Sequence, residues 1–98
     1  MVIIKKPTLT EFGNEHADAI DALNEWYDKR KKSNWNNFND VKKTFNSVDY
    51  VGNDRYVFNI KGNKYRLIAM IFFDIRTVFI RFIGTHGEYD KIKDCSLI

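Results

Sequence analysis

Three side chains in the second half of the chain have types suited to work on a phosphate: Arg66, Arg81 and His86. A guanidinium presents paired N–H donors that match phosphate oxygens. Histidine is the side chain whose ordinary pKa lies nearest neutrality, so it can give or take a proton there. His86 stands in Gly84-Thr85-His86-Gly87, where small neighbours let the backbone turn and leave the ring accessible. Glu88, Tyr89 and Asp90 follow at once. The two arginines have a structural reading of equal weight, in which they bond Glu88, Asp90 or backbone carbonyls. A metal at His86, Glu88 and Asp90 is not expected, because the chain has two histidines far apart and a single cysteine, Cys95.

These residues need a sheet to position them. The stretch from Tyr56 to Asp90 reads as two consecutive β-hairpins followed by a polar turn. Gly62-Asn63 is a two-residue hairpin signal between runs rich in Tyr, Val, Phe and Ile. In that register Lys61 faces Lys64, Asn59 faces Arg66 and Val57 faces Ile68, so Asn59, Lys61, Lys64 and Arg66 share one face. The second turn is expected within Asp74-Ile75-Arg76-Thr77. Phe73 then faces Val78, Met70 faces Arg81, Ile68 faces Ile83 and Arg66 faces Thr85. One face so built carries Tyr56, Phe58, Ile60, Tyr65, Leu67, Ala69, Ile71, Phe73, Val78, Ile80, Phe82 and Gly84, with no formal charge. Slipping by one would drive Arg81 into that apolar face, at a cost of several kcal/mol for an unpaired charge. The opposite, mixed face holds Asn59, Arg66 and Arg81 and is the functional candidate.

The residues before the hairpins read as support. Val2-Ile3-Ile4 forms a short strand ended by Lys5-Lys6-Pro7. Thr8-x-x-Glu11 fits a capping box. From there Leu9, Phe12, His16, Ala19, Ile20, Leu23, Trp26 and Tyr27 recur at helical spacing, with Gly13 weakening the first turn. His16 on this stripe reads as a packed or surface histidine. The helix is expected to end near Lys29-Arg30-Lys31-Lys32, a solvated basic run that suits the negative end of the helix dipole. After the turn formers of Ser33 to Asn37, Phe38, Val41 and Phe45 mark a shorter second helix. The short link predicts a helical hairpin lying on the apolar sheet face. Ser47 to Asp54 reads as an irregular connection with a turn at Gly52-Asn53, and the tail from Ile92 is too short to assign.

Composition sets the limits. Ninety-eight residues suit one domain, 1–98, and 44% hydrophobic with 15% aromatic content supports a real core. A net charge of +3 permits an acidic partner without demanding one. No apolar run approaches the roughly 18 residues of a membrane span, and the N-terminal residues lack a signal-peptide layout. A cytoplasmic protein without membrane contact is expected.

Val57 to Leu67 (VFNIKGNKYRL), then Phe79 to His86 (FIRFIGTH), then Glu88-Tyr89-Asp90 together resemble the HigB family of bacterial toxins, within the wider RelE-like group. The likeness is close over the last half of the chain and is one of layout over the first. It implies an α+β fold with an N-terminal helical hairpin packed on an antiparallel sheet. It also implies a metal-free, cofactor-free mRNA interferase acting on the ribosome, in which the substrate 2′-OH attacks the adjacent phosphate. A HigA-like helix-turn-helix antitoxin is implied as partner, with operator DNA met only through the toxin–antitoxin complex. Under this resemblance Arg66 and Arg81 stabilise the phosphate and His86 transfers a proton. Tyr89 stacks on, bonds or assists, and Asn59, Lys61, Asn63, Lys64 and Lys91 hold the RNA. The alternative within the fold is a toxin that inhibits by binding, as ParE-like gyrase inhibitors do.

Overall fold

The computed structural model describes residues 2–45 and 47–98. Its centre is a five-stranded sheet in the order β1-β5-β4-β3-β2, formed by β1 (Val2–Ile4), β2 (Val48–Gly52), β3 (Arg55–Ile60), β4 (Tyr65–Phe72) and β5 (Thr77–Thr85). The helices are α1 (Lys6–Glu15), α2 (Ile20–Lys32), α3 (Phe38–Thr44) and α4 (His86–Asp90). Strands β2 to β5 pair antiparallel, while β1 pairs parallel with β5. The sheet is therefore mixed, not wholly antiparallel.

The first hairpin has the expected register, with Asn59 opposite Arg66 and Val57 opposite Ile68. The second does not. Its turn begins one residue early, so Phe72 faces Thr77 and Met70 faces Phe79. Ala69 then faces Ile80 and Ile68 faces Phe82, which leaves Arg81 as the extra residue of a β-bulge. Beyond it the parity of β5 changes. Ile83 lies opposite Leu67 and Thr85 opposite Tyr65 on the core side, while Gly84 lies opposite Arg66. Phe82 and Gly84, expected in the core, are on the mixed face. A Cβ on Gly84 would fall 2.6 Å from the Phe82 ring, so glycine lets that ring lie flat along the strand.

The core forms between sheet and helices as the charge-free face requires. Tyr56, Leu67 and Ile80 are buried with Trp26, Phe58, Ile71 and Val78. Trp26 and Phe45 both pack on Phe58, with ring centroids 5.4 and 5.1 Å apart. Leu67 is 0% exposed at the centre. Leu67→Ala is expected to cost about 2–5 kcal/mol of unfolding free energy through lost transfer and a cavity, read as a lower urea midpoint.

The long first helix is two helices. The chain leaves helical geometry at His16 (φ −129°, ψ 75°), passes through a single 3₁₀ turn at Ala17–Ala19, and starts α2 at Ile20. Gly13 permits the fold-back, since a Cβ there would sit 3.0 Å from Ile20 Cγ1. The Thr8 capping box is absent. Pro7 occupies the first turn and the Thr8 amide donates to the Lys5 carbonyl at 3.0 Å, so Thr8 is already inside α1. By contrast Asn37 caps α3, its side chain accepting from the Asp40 amide at 3.1 Å. Arg30 is buried, not solvated, with its guanidinium 4.7 Å over the Tyr27 ring. The segment read as irregular contains β2, with the chain reversing at Asn53 and Asp54 just after Gly52.

Candidate functional site

The end of β5 carries a short helical turn where a polar turn was expected. Thr85 caps α4, accepting from the Glu88 amide at 3.1 Å, while the Glu88 carboxylate accepts from the Thr85 amide at 2.9 Å. These reciprocal bonds hold the Glu88 carboxyl below its ordinary pKa, the backbone bond first. The same Thr-x-x-Glu signature exists in the sequence and marks this turn.

The cap fixes His86. Its amide donates to the Lys64 carbonyl at 3.0 Å, tying α4 to the β3–β4 turn. Its Nδ1 lies 2.8 Å from Asp90 Oδ2, one helical turn on. Both side chains are about half exposed, at 48% and 58%. A carboxylate on Nδ1 favours the tautomer with the proton there, which leaves Nε2 as the acceptor toward solvent. Asp90 thus acts on the histidine as an orienting group.

Arg66 meets the same helix through Tyr89. Its Nη1 donates to the Asn63 carbonyl at 3.0 Å, and its guanidinium lies 5.6 Å over the Tyr89 ring. The Tyr89 phenol is pushed up to about 12, chiefly by burial and then by the neighbouring Cys95 thiol. It therefore stays protonated at neutral pH, able to donate but not to act as a base. The structure so brings together Arg66, Tyr89, His86 and the Asn63 backbone at one end of the sheet.

Arg81 joins a different group. It is exposed on the bulge, and its Nε donates to the backbone oxygen of Ile98 at 3.1 Å. Arg55, which the sequence reading passed over, donates to the same oxygen from Nε at 3.0 Å and from Nη2 at 2.8 Å. Continuing the Asn59–Arg66 register four pairs outward would have placed Arg55 opposite Met70 on the mixed face, where it is found.

The lysines of the β3–β4 turn depart from the expected face. The four residues between Ile60 and Tyr65 leave the strand period, with Lys61 (φ 53°) and Gly62 (φ 65°) in the left-handed region. Both lysine ammonium groups contact Asp18, Lys61 at 3.2 Å, and Tyr65 Oη donates to the same carboxylate at 2.5 Å. Lys64 and Tyr65 together hold the Asp18 carboxyl well below its ordinary value of 3.8, Lys64 contributing most. Asn59 is half-buried beside Arg66, and Lys91 is exposed at the end of α4. No signal in the sequence points to Asp18, which lies in the 3₁₀ turn between α1 and α2.

A depressed carboxyl pKa adds stability above its unfolded value, and that stability is lost as pH falls through the folded value. Asp18→Asn is therefore expected to lower Tm at neutral pH. The gap from wild type should close as the pH is taken well below 3.8. Paired thermal melts across that range check it.

His16 is packed, as its position on the apolar stripe suggested, stacking on Phe12 with ring centroids 4.2 Å apart. Among the described residues no three His, Cys, Asp or Glu side chains are grouped as a metal set. Nor is any helix there long and apolar enough to cross a membrane.

Comparison with known proteins gives a consistent answer. Residues 19–92 match the HigB toxin family, described as the RelE-like toxic component of a toxin–antitoxin system. A protein of Escherichia coli strain K12 named mRNA interferase toxin HigB is 43% identical over 53 residues, 51% of this chain and 50% of that protein. A relative from Shigella flexneri named mRNA interferase HigB matches to the same extent. The chain therefore spans about half the length of these relatives. A further mRNA interferase HigB, from Escherichia coli O6:H1, is 30% identical over 94 residues, covering 94% of this chain and 91% of its own. The family match takes in α2, the whole of β2 to β5 and α4. The chain belongs to the HigB family of RelE-like toxins of toxin–antitoxin systems.

Proposed function

We propose that this chain is a ribosome-dependent mRNA endoribonuclease, working in the cytoplasm and neutralised by a HigA-like antitoxin. The observation that carries the reading is that one short helix, tied to the sheet by the bond from the His86 amide to the Lys64 carbonyl, presents the His86–Asp90 pair and the Tyr89 ring that Arg66 covers. The mRNA interferase names of its relatives support it.

The reaction is a transesterification that asks for no metal. Neutral His86 takes the 2′-OH proton at Nε2, and the 2′-oxygen attacks the adjacent phosphorus. The guanidinium of Arg66 balances charge on the phosphorane oxygens. The P–O bond to the 5′-oxygen breaks, and that oxygen takes a proton from the imidazolium or from the Tyr89 hydroxyl. The products are a 2′,3′-cyclic phosphate and a 5′-OH. Arg81, Asn59, Asn63 and Lys91 hold the message, as do Lys61 and Lys64 once they exchange Asp18 for phosphates. Operator DNA is reached only through the antitoxin complex.

Inducing the chain in cells and mapping message ends by primer extension tests this. Discrete cuts within translated frames are expected. Growth arrest with intact messages would instead indicate a toxin that acts by binding its target.

A further inference from the structure

Three N–H donors from two strands converge on one oxygen at the far end of the mixed face. Arg55 Nε and Nη2 lie 3.0 and 2.8 Å from the Ile98 backbone oxygen, and Arg81 Nε lies 3.1 Å from it. Arg55 is itself steadied by a 2.9 Å bond from Nη1 to the Asn53 carbonyl. Arg81 reaches this point from the β-bulge of β5. Three guanidinium N–H donors aimed at one point suit an anionic oxygen, such as one of a phosphate.

The position of this pair relative to Arg66 gives it a meaning. Arg55 pairs with Met70 and Arg66 lies four residues back on the same strand and face. At ~3.3 Å per residue, the two sites stand ~13 Å apart along β4. One phosphate cannot reach both, and neither can two adjacent ones, but two phosphates further apart on one single strand can.

We propose that Arg55 and Arg81 form a second phosphate subsite, which binds an RNA phosphate away from the one cut at Arg66 and His86. Ile98 occupies this subsite in the free protein. The short tail turn Cys95–Leu97 lies against β2, fastened by the Asn53 Nδ2 bond to the Ser96 carbonyl at 3.1 Å. A message strand entering the subsite displaces Ile98 and takes over its three donors. This inference rests on the ribonuclease reading for the identity of the ligand as RNA. The anion site itself rests on the arginine geometry alone.

The test is binding of a 2′-O-methyl oligoribonucleotide, which cannot be cut, followed by fluorescence anisotropy over a range of salt. Each phosphate contact on a single strand contributes ~0.7 to the slope of log K against log salt. Arg55→Ala and Arg55→Gln are expected to weaken binding about 10-fold and to flatten the slope by ~0.7 each. Removing residues 96–98 is expected to tighten binding several-fold in the wild type, and not in an Arg55→Ala, Arg81→Ala background. Thermal melts establish that each variant is folded. In the wild type the Nε–H resonances of Arg55 and Arg81 should shift on titration together with the Ile98 amide. Wild-type affinity and slope in the Arg55 variants, an unchanged affinity on truncation, or no binding by the wild type would overturn the subsite. If the variants behave as expected but the wild type cuts no message on ribosomes, the ribonuclease reading fails and the subsite stands.

Discussion

His86→Ala is expected to lower the rate of message cleavage by about 10²–10⁴, the range for removing a positioned proton-transfer group. The expectation follows from how the ring is held. The Thr85–Glu88 cap fixes the turn, the backbone bond to Lys64 fixes its place on the sheet, and Asp90 fixes the ring at Nδ1. None of these depends on the imidazole for stability, because His86 and Asp90 are both exposed. A folded, inactive variant is therefore the expected product, and it should still bind antitoxin. Asp90→Asn distinguishes orientation from general acid–base work by Asp90 itself. An amide at that position can present its oxygen or its nitrogen to Nδ1, so a smaller loss and a displaced pH–rate profile are expected. Single-turnover cleavage on programmed ribosomes at several pH values checks both variants. An unchanged rate in folded His86→Ala would remove the histidine from the mechanism.

Arg66→Ala is expected to cost about 10²–10³ in rate, or roughly 3–4 kcal/mol of transition-state stabilisation. Arg66 is half-buried, flanked by strands on both sides, and opposite Asn59 and Gly84. Its guanidinium is held over Tyr89 and bonded to the turn, so little reorganisation is required when charge develops on phosphate. The loss should fall on the single-turnover rate and not on affinity for the ribosome. Arg66→Lys restores charge but not the planar fork, and should recover only part of the rate. Arg81→Ala should weaken message binding instead, since Arg81 meets Arg55 and not Arg66. A single-turnover rate measured at saturating toxin separates the two effects.

How far the sequence carries the structure depends on where local rules apply. The first hairpin was legible because Gly62-Asn63 placed the turn between two runs rich in β-formers. The second was half legible. Arg81 stays out of the apolar face, as its charge requires. The bulge at Arg81 adds a residue for which strict alternation has no place. That is why Phe82 and Ile83 exchanged faces. The α4 turn is too short for periodicity to register, although its Thr85-x-x-Glu88 cap was present in the sequence. The same signature at Thr8 misled, because Pro7 had already started the helix. Arg55 was hidden by reading its surroundings as irregular, and the tie between Asp18 and the turn lysines is a contact across more than forty residues that no local pattern encodes. The fold class and the pairing of Asn59 with Arg66 were therefore readable. The division of the arginines into two groups was not, since it depends on the bulge and on where Ile98 lies.

The central claim is that His86 and Arg66 promote attack by the message's own 2′-OH. The most direct measurement is the chemistry of the new ends made by purified toxin on programmed ribosomes. The account predicts a 5′-OH on the downstream fragment and a 2′,3′-cyclic phosphate on the upstream one. A message substituted with 2′-deoxy at the cut position should remain whole. A 5′-phosphate on the downstream fragment, or cleavage of the 2′-deoxy message at the normal rate, would contradict it.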